Sequence, residues 1–214
     1  QPRSRGLGDV YKRQAFFLVA ATVIPASRIE LYGVGMNPTR TGLLEILKSM
    51  GAKIEINNSR TTAGEPIADL IAESSDLHGV VVPPALVSRT IDEFPALSIA
   101  AAHANGLTQI SGAQELRFKE SDRIEVMANG LDILGIDNEV FEDGIRITGG
   151  SLKGGYVDSE GDHRIAMAFI IAGLGAKAPI TVANCANIAT SFPSFVQAAQ
   201  AVGIKVTQSL ENGL

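Results

Sequence analysis

The chain has 214 residues, of which 45% are apolar and 19% charged, with no tryptophan, one cysteine and a formal net charge of −5. That is ordinary α/β material, enough for one large domain or two small ones with a proper core. The acidic balance argues against nucleic acid as the main partner, because a phosphate backbone needs a basic face.

Cys185, the single cysteine, excludes an internal disulfide and a cysteine zinc cage. His78, His103 and His163 show no metal-ligand spacing, so neither a metal nor another cofactor is expected. One thiol suits a reducing compartment, and a cytoplasmic location is the expectation. The longest apolar run, 15–24, stops at Pro25 and falls short of a membrane span, so no membrane partner is expected.

Residues 1–14 carry Arg3, Arg5, Lys12 and Arg13 without periodicity, and they lack the apolar centre of a secretory signal. They read as a foreign leader or a poorly ordered tail ahead of a domain spanning 15–214. The abrupt apolar start at Ala15 points to a natural chain that continues upstream. From there a pattern occurs three times. An apolar helix opens each copy, at 15–23, 95–104 and 165–174. A short β-like segment follows, at 28–31, 107–110 and 180–182.

Each copy then has a loop and a second helix with a shared ending: Met50-Gly51-Ala52-Lys53-Ile54, Leu134-Gly135-Ile136-Asp137-Asn138 and Val202-Gly203-Ile204-Lys205-Val206. The glycine fits the position just past a helix, where a left-handed backbone is needed. A strand is expected after each, at 53–56, 139–141 and 205–207. Further strands at 69–72 and 79–82 belong to the first copy, and 144–148 to the second. Asp143-Gly144 reads as a tight hairpin. The predicted fold class is α/β: a threefold repeat of one α/β unit, with helices buried inside and sheets around them.

Two charged clusters interrupt this pattern. Lys119-Glu120-Ser121-Asp122-Arg123 leads into the apolar helical stretch that holds Ile124, Val126, Met127 and Leu131, and Asp162-His163-Arg164 opens the stretch 165–174. Ser121 or Asp122 fits the cap of the first helix, and Asp162 the cap of the second. Cations at helix N-termini oppose the macrodipole and need another reason to be there. An anionic ligand held between the two helix ends is one reason. A surface ion-pair network is the other. In Ile91-Asp92-Glu93-Phe94-Pro95, Asp92 or Glu93 sits near the cap of the helix that follows; Asp92 is either that cap or a carboxylate base facing the cations, and nothing local separates these. His103 reads as a partly exposed helix end and Cys185 as a small core residue. No phosphate-binding glycine loop or nucleophile elbow occurs.

The motifs Leu116-Arg117-Phe118-Lys119-Glu120-Ser121-Asp122-Arg123 and Asp162-His163-Arg164-Ile165-Ala166-Met167-Ala168 resemble the signatures of the 5-enolpyruvylshikimate-3-phosphate synthase family. Asn37-Pro38-Thr39-Arg40-Thr41-Gly42, Ile91-Asp92-Glu93-Phe94-Pro95 and Ala189-Thr190-Ser191-Phe192-Pro193 are similar to the same family. The resemblance runs from about Ala15 to the C-terminus. It implies an enolpyruvyl transferase-like inside-out barrel domain, the C-terminal half of a two-domain enzyme whose N-terminal domain is the missing partner.

The implied reaction transfers the enolpyruvyl group of phosphoenolpyruvate to the 5-hydroxyl of shikimate 3-phosphate and releases phosphate, on the route to aromatic amino acids. It needs no cofactor. By motif, Asp92 is the proton acceptor at the 5-hydroxyl and Glu120 exchanges the proton at the methylene carbon. Lys119 holds shikimate 3-phosphate, while Arg123 and Arg164 clamp phosphoenolpyruvate. Thr190 stands where some members carry a lysine, which removes one phosphoenolpyruvate contact. This chain alone is expected to be inactive. The rival expectations are an enolpyruvyl transferase acting on UDP-N-acetylglucosamine and a non-catalytic binding domain.

Overall fold

In the computed structural model, residues 7–209 are described, with side chains from Gln14 onward. The first helix, α1, spans Leu7–Val23. Of the expected leader, residues 1–6 lie outside the described residues, and 7–14 continue α1. This helix therefore begins eight residues earlier than its apolar run. The reason is that Leu7 to Gln14 contains no proline and only one glycine, so nothing in it breaks a helix that the buried segment downstream has already nucleated.

Strand β1 (Arg28–Gly35) and the short helix α2 (Gly42–Ser49) follow, then the hairpin of β2 (Lys53–Thr62) and β3 (Glu65–Glu73). These make an antiparallel sheet in the order β1-β3-β2. A turn of helix α3 (Pro84–Val87) and a 3₁₀ segment, Ser88–Glu93, lead into α4 (Phe94–His103). The second unit continues with β4 (Leu107–Ile110), a 3₁₀ segment Gln114–Phe118, α5 (Arg123–Ile133), β5 (Asn138–Phe141) and β6 (Gly144–Thr148). Its sheet repeats the first, in the order β4-β6-β5. The third unit holds β7 (Gly155–Asp158), α6 (His163–Ala172), β8 (Ile180–Ala183), a 3₁₀ segment Cys185–Asn187, α7 (Ile188–Ser191) and α8 (Phe195–Ala201).

The expected inside-out layering is present. Helix α4 reads Phe-Pro-Ala-Leu-Ser-Ile-Ala-Ala-Ala-His, and every residue from Phe94 to Ala102 is buried. A helix without a polar face can only be stable when surrounded. Helices α1, α4 and α6 contact one another, and the sheets lie against them. Phe16 and Phe17 of α1 meet Phe195 of α8 at ring-centroid distances of 6.4 and 5.9 Å, which ties the last helix to the first. Gly51, Gly135 and Gly203 have φ of +94°, +77° and +88°, as the shared helix ending required.

Several expectations need correction. Residues 79–82 do not form a strand of the first sheet. His78 and Val81 bridge Asn105 and Gln109 in parallel, so the segment runs along β4 of the second. Strand β7 was not expected, and it pairs with β8 in parallel. Both features are crossovers through a buried helix, a long-range pairing that local alternation does not reveal. Residues 205–207 are not a strand. In units one and two the matching strand pairs with the strand after it, and among the described residues the third unit has none. The β5–β6 hairpin turns on Glu142-Asp143, with Phe141 opposite Gly144. Gly144 is required sterically instead, because a Cβ there would lie 1.9 Å from the Ile110 carbonyl oxygen.

Candidate active site

The entries to α5 and α6 carry the two charged clusters, and the fold brings them together. Asp122 caps α5 and accepts a hydrogen bond from the Glu125 amide at 3.1 Å. Its other oxygen accepts from Arg117 Nη1 at 2.7 Å. Arg117 also donates to the carbonyls of Phe141 and Glu142 at 2.6 and 2.7 Å, which fixes the β5–β6 turn to this helix end. Asp162 caps α6, accepting from the Arg164 and Ile165 amides at 2.8 and 3.4 Å.

Arg123 joins the two helix ends. It is 2% exposed, yet it is a full charge. Its Nε donates to Asp162 at 2.7 Å and one Nη to Glu120 at 2.5 Å. Its Nη1 is buried with no hydrogen-bond partner among the described residues. Burial pushes the Asp162 carboxyl up, but the Arg123 guanidinium and the α6 amides outweigh it and hold it below the usual carboxylate value. His163 Nδ1 lies 3.7 Å from Glu120. Burial lowers its basicity, Glu120 and Asp162 oppose this, and the nearby Arg164 and Arg123 add to the lowering, so its pKa lies below the ordinary imidazole value.

The 3₁₀ turn before α4 supplies the third side. Of the two candidates, Glu93 and not Asp92 occupies the cap position of α4, without a side-chain cap hydrogen bond. Asp92 turns its carboxylate to Arg164 and to Arg40, each at 3.5 Å from the same oxygen. Arg164 Nη1 also donates to the Asp92 carbonyl at 2.8 Å. The fold thus links Asp92 to Arg164, and Glu120 to Arg123. Lys119 is engaged elsewhere, paired with Glu115 one helical turn earlier in the chain. Thr190 donates its hydroxyl to the Asn187 carbonyl at 2.8 Å. His103 is partly buried at the end of α4, and its Nδ1 lies 2.9 Å from the Ile99 carbonyl. Cys185 packs on the edge of the core and donates its thiol to the Val182 carbonyl. These three lie outside the cluster.

Glu120, Asp162 and His163 each bring one potential metal-ligand atom within 4.8 Å of the others. Arg123 already bonds to both carboxylates, so the group fits an ion-pair network better than a cation. Charge within the cluster has no positive surplus: Arg40, Arg123 and Arg164 face Asp92, Glu93, Glu120 and Asp162, Arg117 faces Asp122, and Lys119 faces Glu115. Sequence reasoning missed Arg40 as a partner of Asp92, although it singled out the segment Asn37 to Gly42. It also missed the Arg117 bracket, and it read Asp162 as a cap without its ion pair. Both Arg40 and Arg117 were visible as basic residues inside motifs, but their partners lie elsewhere in the chain.

Residues 8–198 match the family of EPSP synthase (3-phosphoshikimate 1-carboxyvinyltransferase). The chain belongs to the EPSP synthase family. A 3-phosphoshikimate 1-carboxyvinyltransferase of Legionella pneumophila (strain Corby) is 53% identical over 201 residues, covering 94% of this chain and 46% of the relative. One from Acidithiobacillus ferrooxidans (strain ATCC 53993 / BNL-5-31) is 55% identical over 197 residues, covering 92% and 45%. Among solved structures, an EPSP synthase from Acinetobacter baumannii superposes with a TM-score of 0.89 at 48% identity, over 92% of this chain and 47% of that one. The enolpyruvyl transferase NikO from Streptomyces tendae gives 0.70 at 17% identity over 93% and 44%, which shows a shared fold. The chain spans about half the length of the curated relatives it matches. Among the described residues, no helix is long and apolar enough to cross a membrane.

Proposed function

We propose that this chain is the C-terminal domain of a 3-phosphoshikimate 1-carboxyvinyltransferase and forms one wall of its active-site cleft. The 5-hydroxyl of shikimate 3-phosphate adds to C2 of phosphoenolpyruvate as C3 takes a proton. The tetrahedral adduct then loses phosphate and a C3 proton to give the enolpyruvyl ether. Asp92 takes the hydroxyl proton, and Glu120 delivers and recovers the proton at C3. Arg123 and Arg164 bind phosphoenolpyruvate, since a guanidinium fork matches a carboxylate or phosphate with two parallel bonds. Lys119 exchanges Glu115 for shikimate 3-phosphate.

The observation that carries the reading is Arg123. Its guanidinium is held rigid by Asp162 and Glu120, while Nη1 is a buried donor without an acceptor among the described residues. Such a donor costs about 1–3 kcal/mol, which a ligand oxygen recovers on binding. Glu120 sits on the same guanidinium and is 52% exposed, as a proton carrier at the edge of a cleft must be. The upstream half supplies the remaining cations and closes over the substrates, excluding water.

The test uses the chain joined to the N-terminal half of a curated relative, with phosphate release as the assay and titration of each substrate as the binding measurement. Arg164→Ala should weaken phosphoenolpyruvate by about 2–5 kcal/mol, the usual loss for one partner of a buried charge-assisted pair, and shikimate 3-phosphate much less. Equal weakening of both ligands, or of neither, overturns the assignment.

A further inference from the structure

An aspartate in the middle of a central strand needs a reason, because its short charged side chain packs poorly and competes for its own backbone. Asp69 holds that place in β3, between the buried Ala68 and Leu70, and by alternation it faces away from their side of the sheet. Both outer strands leave their regular pairing beside it. Along β1 the partners run from Leu31↔Leu70 to Val34↔Ala68, and along β2 from Asn57↔Asp69 to Arg60↔Ile67. Each outer strand therefore uses one residue more than β3, which makes a bulge. Each bulge holds a residue in the left-handed region, Gly33 at φ +64° and Asn58 at +50°. Glycine enters that region freely, and asparagine more readily than most residues.

The Asp69 carboxylate is bonded to both bulges. Its Oδ1 accepts from the Gly33 amide of β1 at 2.8 Å, and its Oδ2 from Asn58 Nδ2 of β2 at 2.9 Å. Arg60, also on β2, donates both Nη groups to Oδ1 at 3.2 Å, and Nη1 to the Asn58 carbonyl at 2.8 Å. This guanidinium reaches across β3, since its Nη2 would lie 3.9 Å from a Cβ on Gly33. The Gly33 amide, then the Asn58 amide, hold the carboxyl below its ordinary value; Arg60 adds to this and burial opposes it. On the β1 side the Tyr32 hydroxyl turns to Glu30.

We propose that Asp69 is the register lock of the first sheet: one carboxylate on the central strand couples the two bulges and so fixes how both outer strands pair with β3. The consequence reaches the site wall. Just past β1, the Met36 amide donates to the Pro66 carbonyl at 2.7 Å. The residues that follow, 37–41, carry Arg40 to the surface depression it lines with Asp92. A β1 register one residue off would displace the start of this loop by roughly 3.4 Å and turn the strand's side chains to the other face.

The experiment follows amide hydrogen exchange and chemical shifts by NMR in this chain without ligand. Asp69→Ala should speed exchange at Gly33 by about tenfold or more, the effect of losing a hydrogen bond to a charged acceptor. Arg60→Gln should speed it by about two- to fivefold, the range of a partly exposed ion pair, although Arg60 lies on the opposite outer strand. The double variant separates coupling from a direct effect. In the Asp69→Ala background, Arg60→Gln should leave Gly33 exchange where it was. An unchanged Gly33 rate in a folded Asp69→Ala chain overturns the lock, and so does an Arg60→Gln effect of equal size with and without Asp69. The signals of residues 37–41 should shift in Asp69→Ala, and a loop that keeps its signals overturns the link to the site wall. Should Asp69→Ala not fold, Arg60→Gln decides alone, and a Gly33 rate equal to that of the unaltered chain overturns the coupling. These readouts do not depend on the proposed reaction.

Discussion

Arg123 is where stability and ligand chemistry meet. Its pairing with Asp162 is buried on both sides, at 2% and 0% exposure, so the desolvation cost nearly cancels the attraction. Removing one partner is a different matter. Arg123→Leu leaves Asp162 charged and buried, and should cost about 3–5 kcal/mol in chemical denaturation of the chain, with Asp162→Asn in the same background recovering part of it. The pH dependence has a definite sign. Asp162 is held below its ordinary value, so it contributes stability that is present above the unfolded carboxylate pKa of about 3.9 and is lost as pH falls through the folded value. In Arg123→Leu burial is no longer opposed by the guanidinium, so the acid-unfolding midpoint should move to higher pH. A variant with unchanged acid stability would mean the pair is not the dominant interaction at Asp162. Asp92 calls for a paired measurement. Asp92 is not at the cap position, and its partly exposed carboxylate stands 3.5 Å from both Arg164 and Arg40, so Asp92→Asn should lower Tm only modestly. In the joined protein its kcat should fall about 10²–10⁴-fold, the usual contribution of a general base. A stable variant with near-normal kcat would remove Asp92 from the chemistry.

Among the elements, α5 and α6 approach closely enough to make a glycine decisive. A Cβ on Gly130 of α5 would lie 2.2 Å from the Phe169 ring of α6. Alanine is the better helix former by about 1 kcal/mol, so propensity alone favours Gly130→Ala. The ring is itself fully buried and has nowhere to go, and overpacking typically costs about 1–3 kcal/mol. We expect a net loss of up to about 2 kcal/mol in urea unfolding, with a smaller helix–helix disturbance for a relieving Phe169→Leu in the same chain. A gain in stability for Gly130→Ala would mean that the two helices separate easily. The spacing bears on the proposed function because these two helices present Arg123 and Arg164, and a shift between them would change the proposed phosphoenolpyruvate clamp. The 3₁₀ turn Ser88–Glu93 has the same importance for Asp92, since Pro95 in the first turn of α4 and Gly42 against Thr90 leave it little freedom.

For the whole molecule, charge balance is the governing fact. The cluster sets Arg40, Arg123 and Arg164 against Asp92, Glu93, Glu120 and Asp162, and Lys119 against Glu115, so it has no positive surplus to offer the two polyanionic substrates proposed. On the proposed function the chain by itself should therefore show no measurable phosphate release from phosphoenolpyruvate and shikimate 3-phosphate. The measurement is a phosphate assay on the purified chain at saturating concentrations of both. Robust turnover would refute the division of labour between two halves and place a complete site here.

The amino-acid sequence by itself determined the buried helices, because α4 and α6 have no polar face and can only lie inside. It determined the three glycine-ended helices, because a left-handed residue leaves a local signature. It also marked the helix ends with Ser121 or Asp122 and with Asp162, and singled out Asp92, Lys119, Glu120, Arg123 and Arg164 by motif. It left Asp92 undecided between cap and base, since both roles place a carboxylate just before a helix. What only the tertiary structure decided are the partnerships. Residues 79–82 run along β4 and β7 along β8 because a crossover helix carries each strand to a neighbour far along the chain. Residues 205–207 form no strand because β pairing needs a second strand, whatever the local alternation. Arg123 meets Asp162 across 39 positions, and Arg164 meets Asp92 across 72. Arg40 meets Asp92 from a loop far earlier in the chain. Helix signals are local in hydrogen bonding and survive in a sequence, whereas sheet order and ion pairs are set by packing between distant segments.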